Sequence, residues 1–354
     1  MTSRLRRMRD LLAEHRLDGI LIQKPENRLY VTGFSGSAGM ALITPTEAVL
    51  LADFRYVEQA AAQAPEFSVV RAERQLVEGL GKEVKQRDVR RLGFENDAVT
   101  FKQYQDIGKA APAADLVPID GVDRLRWVKD AGELAWITKA VELADAAFAH
   151  ILPHLRPGAV ERDVALEMEF FMRRAGADKE AFETIVASGP RSALPHGRAA
   201  ERVLERGDLV TLDFGATFRH YVSDCTRTVV LGEAGDRQRE VYQVVLAAQE
   251  TALSGIRPGM SGKDADALAR DVIAAAGYGD AFGHSLGHGV GLAVHEGPTL
   301  SPREEAYLAA GMVVTVEPGI YLAQWGGVRI EDLVVITDTG CAPLTRAPKE
   351  LLVL

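Results

Sequence analysis

The sequence predicts two units: an α/β layer domain over residues 1–125, then an α+β domain over residues 126–354 built from two similar halves. Three observations carry this. At 354 residues the chain exceeds one ordinary hydrophobic core. Short apolar runs alternate with helical patterns as far as residue 125. Beyond that, one order of motifs occurs twice. S-A-L-P-H-G (192–197), R-G-D-L-V-T-L-D-F-G (206–215) and V-S-D-C-T-R-T (222–228) are echoed by H-S-L-G-H-G-V-G (284–291), T-V-E-P-G-I-Y (315–321) and G-G-V-R-I-E-D (326–332). Laid side by side, His196 falls on His288, Asp213 on Glu317 and Asp224 near Glu331. Gly207 and Gly215 fall on Gly311 and Gly319.

In chain order, the first residues read as an amphipathic helix with Leu5, Met8, Leu11 and Leu12 at helical spacing. Strands are expected at 18–23, 41–44, 48–53 and 91–95, helices at 55–64 and 76–87. The loop G-F-S-G-S-A-G (33–39) lacks the Lys-Ser/Thr of a phosphate cradle, so it reads as a structural turn or a loop over a site. Leu134, Ile137, Val141, Ala144 and Phe148 share one face of a long helix expected over 125–149, with the domain junction just before it. Further helices are expected at 160–175, 237–254 and 262–276, punctuated by Gly176, Pro258-Gly259 and Gly277. The repeated apolar runs between them form a sheet covered on one side by helices.

Composition narrows the partners. A net charge of −9 without a long basic run argues against nucleic acid. No apolar run approaches the ~18 residues of a membrane span, and no apolar signal-peptide core follows the first basic residues. Cys225 and Cys341 form no CxxC and read as free thiols in a reducing cytoplasm.

The chemistry lies in the repeated half. Asp213 and Asp224, and again Glu317 and Glu331, interrupt or end apolar strand runs, and antiparallel ribbons would bring each pair onto neighbouring strands. Taken alone, an acid at a strand end is usually a cap or surface charge, and a His among glycines is usually a turn residue. Independent surface charges, however, have no reason to recur in the same order. Buried carboxylates without compensation would cost several kcal/mol each or take up protons. Asp213, Asp224, His288, Glu317 and Glu331 are too many and too oxygen-rich for one structural zinc. They suit two divalent ions, Mn²⁺, Co²⁺ or Zn²⁺, bridged by shared carboxylates roughly 3.5 Å apart. His196, His284 and His295 then read as groups facing a substrate, with a structural role as the plain alternative. His15, His150 and His154 read as solvent or packing residues, His220 as a surface group and Cys225 as core.

These motifs resemble those of the pita-bread metallopeptidases, specifically the Xaa-Pro peptidases, prolidase and aminopeptidase P. The resemblance rests on S-G-P-R-S-A-L-P-H-G, L-D-F-G-A, S-D-C-T-R-T, H-S-L-G-H-G-V-G-L-x-V-H-E, V-E-P-G-I-Y and G-V-R-I-E-D, and it covers essentially the whole chain. It implies a creatinase-like amino-terminal domain and a pita-bread catalytic domain with an internal pseudo-twofold duplication. It implies that Asp213 holds one metal, His288 and Glu317 the other, and that Asp224 and Glu331 bridge them. Glu317 would carry the proton of the attacking water. His196, His284 and His295 would sit at the substrate, His295 at the scissile carbonyl and His196 on the proline side. Arg329, two residues before Glu331, would orient that carboxylate at the substrate site. The expected substrate is a short peptide with proline second from the amino end, cleaved by an Xaa-Pro dipeptidase or, on longer peptides, an aminopeptidase P. A homodimer is expected from the resemblance only. Methionine aminopeptidase shares the five ligands but lacks such an amino-terminal domain, creatinase lacks this ligand set, and a non-catalytic binding protein would have lost ligands. For reading a substrate carboxylate the sequence offers Arg55, Arg191 and Arg198.

Overall fold

Leu5, Met8 and Leu12 bury one stripe of the first helix, α1 (Ser3–Glu14). This opens the computed structural model of the chain, which describes residues 3–73 and 75–354 in two units, 1–126 and 127–354. The first unit continues with β1 (Gly19–Ile22), α2 (Pro25–Thr32), β2 (Met40–Ile43), β3 (Ala48–Ala52), α3 (Val57–Gln63) and β4 (Ser68–Arg71). It ends with α4 (Leu76–Gln86), β5 (Arg91–Glu95), α5 (Phe101–Ala110) and β6 (Asp115–Ile119). The sheet order is β4-β3-β2-β1-β5-β6. Its ladders are parallel except at β1–β2 and β2–β3.

Both faces of this sheet are covered, which is why β1 and β3 are apolar throughout rather than alternating. Ile20, Ile22, Leu50 and Ala52 meet α1 and α3 on one side. Leu21, Val49 and Leu51 meet Leu80, Val84 and Ile107 of α4 and α5 on the other. The 33–39 loop is tied to the helix before it. Arg28 donates to the Gly36 and Gly39 carbonyls, and Phe34 lies wholly buried beneath.

The second unit contains α6 (Ala131–Ile151), α7 (Glu161–Arg174), β7 (Lys179–Glu180), β8 (Ile185–Ser188), β9 (Leu209–Phe214), β10 (Ala216–Phe218), β11 (Tyr221–Val222) and β12 (Cys225–Val230). It continues through α8 (Asp236–Gly255), α9 (Gly262–Ala275), β13 (Gly287–Gly289), β14 (Glu296–Leu300) and β15 (Val313–Val316). The last strands are β16 (Gly319–Leu322), β17 (Gly326–Arg329), β18 (Asp332–Ile336) and β19 (Cys341–Pro343). The long helix begins later than expected. Asp130 and Glu133 form a reciprocal capping box that sets its start, while residues 123–126 form a separate 3₁₀ turn.

The duplication is visible in the pairing. β9 pairs with β12 while β10 and β11 form a hairpin between them. β15 pairs with β18 while β16 and β17 form the matching hairpin. Gly207 and Gly311, just before β9 and β15, both have left-handed backbone, φ 90° and 88°, a conformation that favours glycine. Each half packs a helix pair on one side of its strands: Phe148 and Met168 of α6 and α7 against Val210 and Phe214, and Val245 and Ala269 of α8 and α9 against Val314 and Val334. No helix among the described residues is long and apolar enough to cross a membrane.

Candidate metal centre

The carboxylates sit where each outer strand passes into its hairpin. Thr226 lies opposite Asp213 in the β9–β12 ladder, so Asp224, two residues earlier, shares that face and neighbours Asp213 diagonally. Val316 lies opposite Asp332 in the β15–β18 ladder, and Glu317 and Glu331 are the next residues outward. The two halves then meet: Glu331 N–H donates to Thr226 O at 3.1 Å. One oxygen each from Asp213, Asp224 and Glu331 lie within 4.8 Å of one another. His288, from β13, completes the group, with Nε2 3.3 Å from Glu317 Oε1 and 3.6 Å from Asp224 Oδ2.

A second layer of side chains fixes these groups. Thr226 Oγ1 donates to Glu331 Oε2 at 2.6 Å, and Thr315 Oγ1 donates to Glu317 Oε1 at 3.0 Å. His288 Nδ1 faces Gly289 O at 3.1 Å. A carbonyl can only accept, so Nδ1 carries a proton and Nε2 points to the carboxylates. The Arg329 guanidinium donates to Asp213 Oδ2 at 2.7 Å, Thr226 Oγ1 at 2.9 Å, Tyr321 OH at 2.9 Å and Pro195 O at 3.2 Å. Its carboxylate partner is thus Asp213 in the other half. The expectation that Arg329 orients Glu331 directly is corrected: it reaches that acid only through Thr226 Oγ1, and its own backbone bonds Thr228.

The electrostatics divide the acids into two kinds. Burial, then the charges of Glu331, Asp213 and Glu317, pushes Asp224 well above the carboxylate range. Burial, then Glu317 and Asp213, does the same to Glu331. Burial also raises Asp213, and Arg329 opposes it. Burial opposes charge at Glu317 too, but His288, His284 and Arg329 outweigh it and bring Glu317 down to about 2. Asp213 Oδ1 is buried with no hydrogen-bond partner among the described residues. A divalent cation answers all of these features: it takes a bare acceptor, relieves like-charge crowding and suits carboxylate with imidazole. The donor set fits.

The remaining histidines differ from one another. His295 is exposed and sets its ring edge to face against His288, centroids 4.4 Å apart. Its inner ring edge is partly desolvated, and this, then the His288 charge, lowers its pKa against the opposing pull of Glu317. His196 is also exposed. In His284 both ring nitrogens are engaged within the chain, Nδ1 with Ser285 O at 2.7 Å and Nε2 with Tyr321 OH at 2.8 Å. Tyr321, Thr226 and Thr315 escaped the sequence reading. The only signal was a polar atom inside an otherwise apolar strand run, which is weak because Thr and Tyr are ordinary strand formers.

Of the three arginines considered for a substrate carboxylate, Arg191 is paired with the buried Glu161 and Arg55 with Asp53. Arg198, close to His196 in the chain, stands 75% exposed with Glu183.

Comparison with known proteins agrees with this geometry. Residues 135–338 match the model of metallopeptidase family M24, and residues 4–128 match the creatinase/prolidase N-terminal domain. The chain is 40% identical to an Xaa-Pro dipeptidase of Pyrococcus furiosus, over 99% of this chain and all of that one. The solved Xaa-Pro dipeptidase from Bacillus anthracis superposes with a TM-score of 0.97 at 46% identity, covering 99% of each chain. The X-Pro aminopeptidase from Thermotoga maritima superposes with a TM-score of 0.89 at 41% identity, covering 96% of this chain and 98% of that one. Two similar half-units, five convergent ligand-type side chains and these matches lead to one statement: the chain belongs to metallopeptidase family M24, with a creatinase/prolidase-type domain ahead of a pita-bread catalytic domain.

Proposed function

We propose that the chain is an Xaa-Pro dipeptidase working with two divalent ions, Mn²⁺, Co²⁺ or Zn²⁺. The observation that carries this is the convergence of Asp213, Asp224 and Glu331 to within 4.8 Å, with the His288–Glu317 pair at 3.3 Å closing the group. Asp224 and Glu331, central to the mutual repulsion, would be shared between the ions. Asp213 would complete one site, His288 and Glu317 the other. Bound there, the ions supply Lewis acidity and make a water acidic enough to attack near neutral pH.

The chain's own residues do the rest. Glu317, ionised and held by Thr315, accepts the proton of the attacking water as the new carbon–oxygen bond forms. It returns that proton to the proline nitrogen as the carbon–nitrogen bond breaks. His295, neutral and exposed beside His288, donates a hydrogen bond to the developing oxyanion. His196 lines the proline side. His284 holds Tyr321, whose hydroxyl accepts from the Arg329 that fixes Asp213. The bond cleaved is a tertiary amide with no N–H, so a site of this kind must grip the peptide without that donor.

The dipeptidase names of the Pyrococcus furiosus and Bacillus anthracis relatives support this length preference. An aminopeptidase reading is kept because the Thermotoga maritima structure bears that name at similar identity. A length series decides between them: an Xaa-Pro dipeptide, and the same peptide extended by one and by three residues, each with Mn²⁺. Cleavage confined to the dipeptide supports the proposal. Equal or better cleavage of the longer peptides replaces it with the aminopeptidase reading. No cleavage by metal-loaded protein removes the Xaa-Pro assignment.

A further inference from the structure

Away from the carboxylates, a second cluster of ligand-type side chains lies on the helical layer of the catalytic domain. His150 is in the last turn of α6, and His154 ends the 3₁₀ turn that follows (Leu152–His154), four residues on. Glu167 reaches them from the middle of α7. One ligand atom from each of the three lies within 4.8 Å of the others. We propose that His150, His154 and Glu167 form a second, separate metal site, for a divalent ion of the zinc type, that clips α6 to α7.

Four features support a site rather than a chance meeting. First, the His150 imidazole is held: its ring stacks on Phe171 with centroids 4.2 Å apart and planes 15° from parallel, and its Nε2 lies 2.7 Å from Glu167 Oε1, a contact whose proton a bound ion would replace. Second, His154 Nδ1 faces the His150 carbonyl at 3.2 Å. That carbonyl can only accept, so the proton is on Nδ1 and Nε2 keeps its lone pair for a ligand. Third, the place is the carbonyl end of a helix of 21 residues, where the local field favours a cation. Fourth, the site is open to solvent, with His154 exposed and the side chains of His150 and Glu167 30% and 35% exposed, so an ion can enter and the carboxylate can move. Two ligands about 2.0–2.1 Å from a tetrahedral ion stand roughly 3.3 Å apart, so His150 and Glu167 must part by only about half an ångström.

The donor set also chooses the ion. Two imidazoles and one carboxylate favour Zn²⁺, Cu²⁺ or Ni²⁺ over Mg²⁺, Ca²⁺ or Mn²⁺. Three protein ligands leave the remaining positions to water. The cluster is distinct in residues and in preference from the oxygen-rich catalytic group, and its assignment does not depend on the peptidase reading.

The test uses the intact, Mn²⁺-loaded protein equilibrated with ZnCl₂, comparing wild type with His154→Ala and Glu167→Gln. Bound zinc is counted per chain by mass spectrometry. Wild type should hold one more zinc ion than either variant, and Xaa-Pro hydrolysis should be the same in all three. Losing one of three ligands should weaken zinc binding on the order of 100-fold. Crystals of wild type soaked in ZnCl₂ and measured at the zinc absorption edge should show an anomalous peak among the three side chains, absent in His154→Ala. Equal zinc counts in all three proteins, or zinc peaks at the carboxylates alone, would overturn the proposal.

Discussion

Arg329 Nη2 donates to Asp213 Oδ2 at 2.7 Å, and this bond joins the two halves of the duplicated domain at their chemical centre. The same guanidinium holds Thr226, which in turn holds Glu331. One buried cation therefore orients an acid directly in one half and another indirectly. Lysine keeps the charge but cannot span these partners. Arg329→Lys should lower metal affinity and kcat by roughly 10–100-fold, while KM for the dipeptide changes less. Unchanged metal affinity would show that the pair serves the fold alone.

Asp224 lies between like charges, and its removal should separate function from stability. Its folded pKa is raised by burial and neighbouring acids, above the ~3.9 of an unfolded aspartate. The sign is therefore unfavourable: ionisation destabilises the metal-free fold at neutral pH. That cost disappears as pH falls toward the unfolded value. Asp224→Asn should raise the melting temperature of metal-free protein at pH 7 and do so less at pH 5. The same variant should lose metal binding and hydrolysis. A metal-free variant less stable than wild type at pH 7 would contradict the repulsion described for this cluster.

Metal loading should also release protons. Asp224 and Glu331 both hold protons more tightly than ordinary carboxylates, and a ligating carboxylate must give its proton up. Calorimetric titration of Mn²⁺ into metal-free protein near pH 6, in buffers of different ionisation enthalpy, should report net proton release, and apparent affinity should fall as pH falls. An enthalpy independent of the buffer would mean these acids are already ionised.

His295 faces His288 from the exposed side, outside the cluster of carboxylates. His295→Ala should reduce kcat by about 10²–10³-fold, the loss typical of one oxyanion donor, with metal content near normal. Loss of metal in that variant would make His295 a ligand instead.

Much of this site was legible because the carboxylates recur in order at strand ends, and strand alternation then dictates which faces they share. The β9–β12 pairing follows from the same reading, but the β10–β11 hairpin stands where a turn is expected. β15 pairs with β18 rather than with the 328–331 run, which joins β16 in its first two residues. The side chains that hold the ligands were not legible. Thr226 and Thr315 look like ordinary strand residues, and Tyr321 looks like a core aromatic. Thr226 acts across the halves, 105 residues from Glu331, while Thr315 and Tyr321 act within one half, on Glu317 and on Arg329 and His284. Arg329 bonds Asp213 directly and reaches Glu331 only through Thr226, because nearness in sequence is no guide to where a long side chain reaches. His150 and His154 read as solvent or packing residues because their partner Glu167 belongs to another helix. In the amino-terminal unit, β4 and β6 were missed. Both are short edge strands with one charged end each, where the apolar pattern is weakest.

The two matched glycines give a check on the duplication itself. An added Cβ at Gly207 meets nothing within 4 Å, whereas at Gly311 it would lie 3.0 Å from Val128 Cγ1 and 3.3 Å from Lys129 O. Gly207→Ala should cost about 1–2 kcal/mol from the left-handed backbone alone, and Gly311→Ala more. Thermal unfolding of the metal-free proteins measures both. A neutral result at Gly207 would mean that turn is not held left-handed.

The most direct measurement is the activity of metal-free protein as Mn²⁺ is added in known equivalents per chain. Hydrolysis of an Xaa-Pro dipeptide should rise until two ions are bound and then level off, and Glu331→Ala should show neither binding nor activity. A plateau at one ion, or hydrolysis that survives removal of metal by a chelator, would contradict the dinuclear centre.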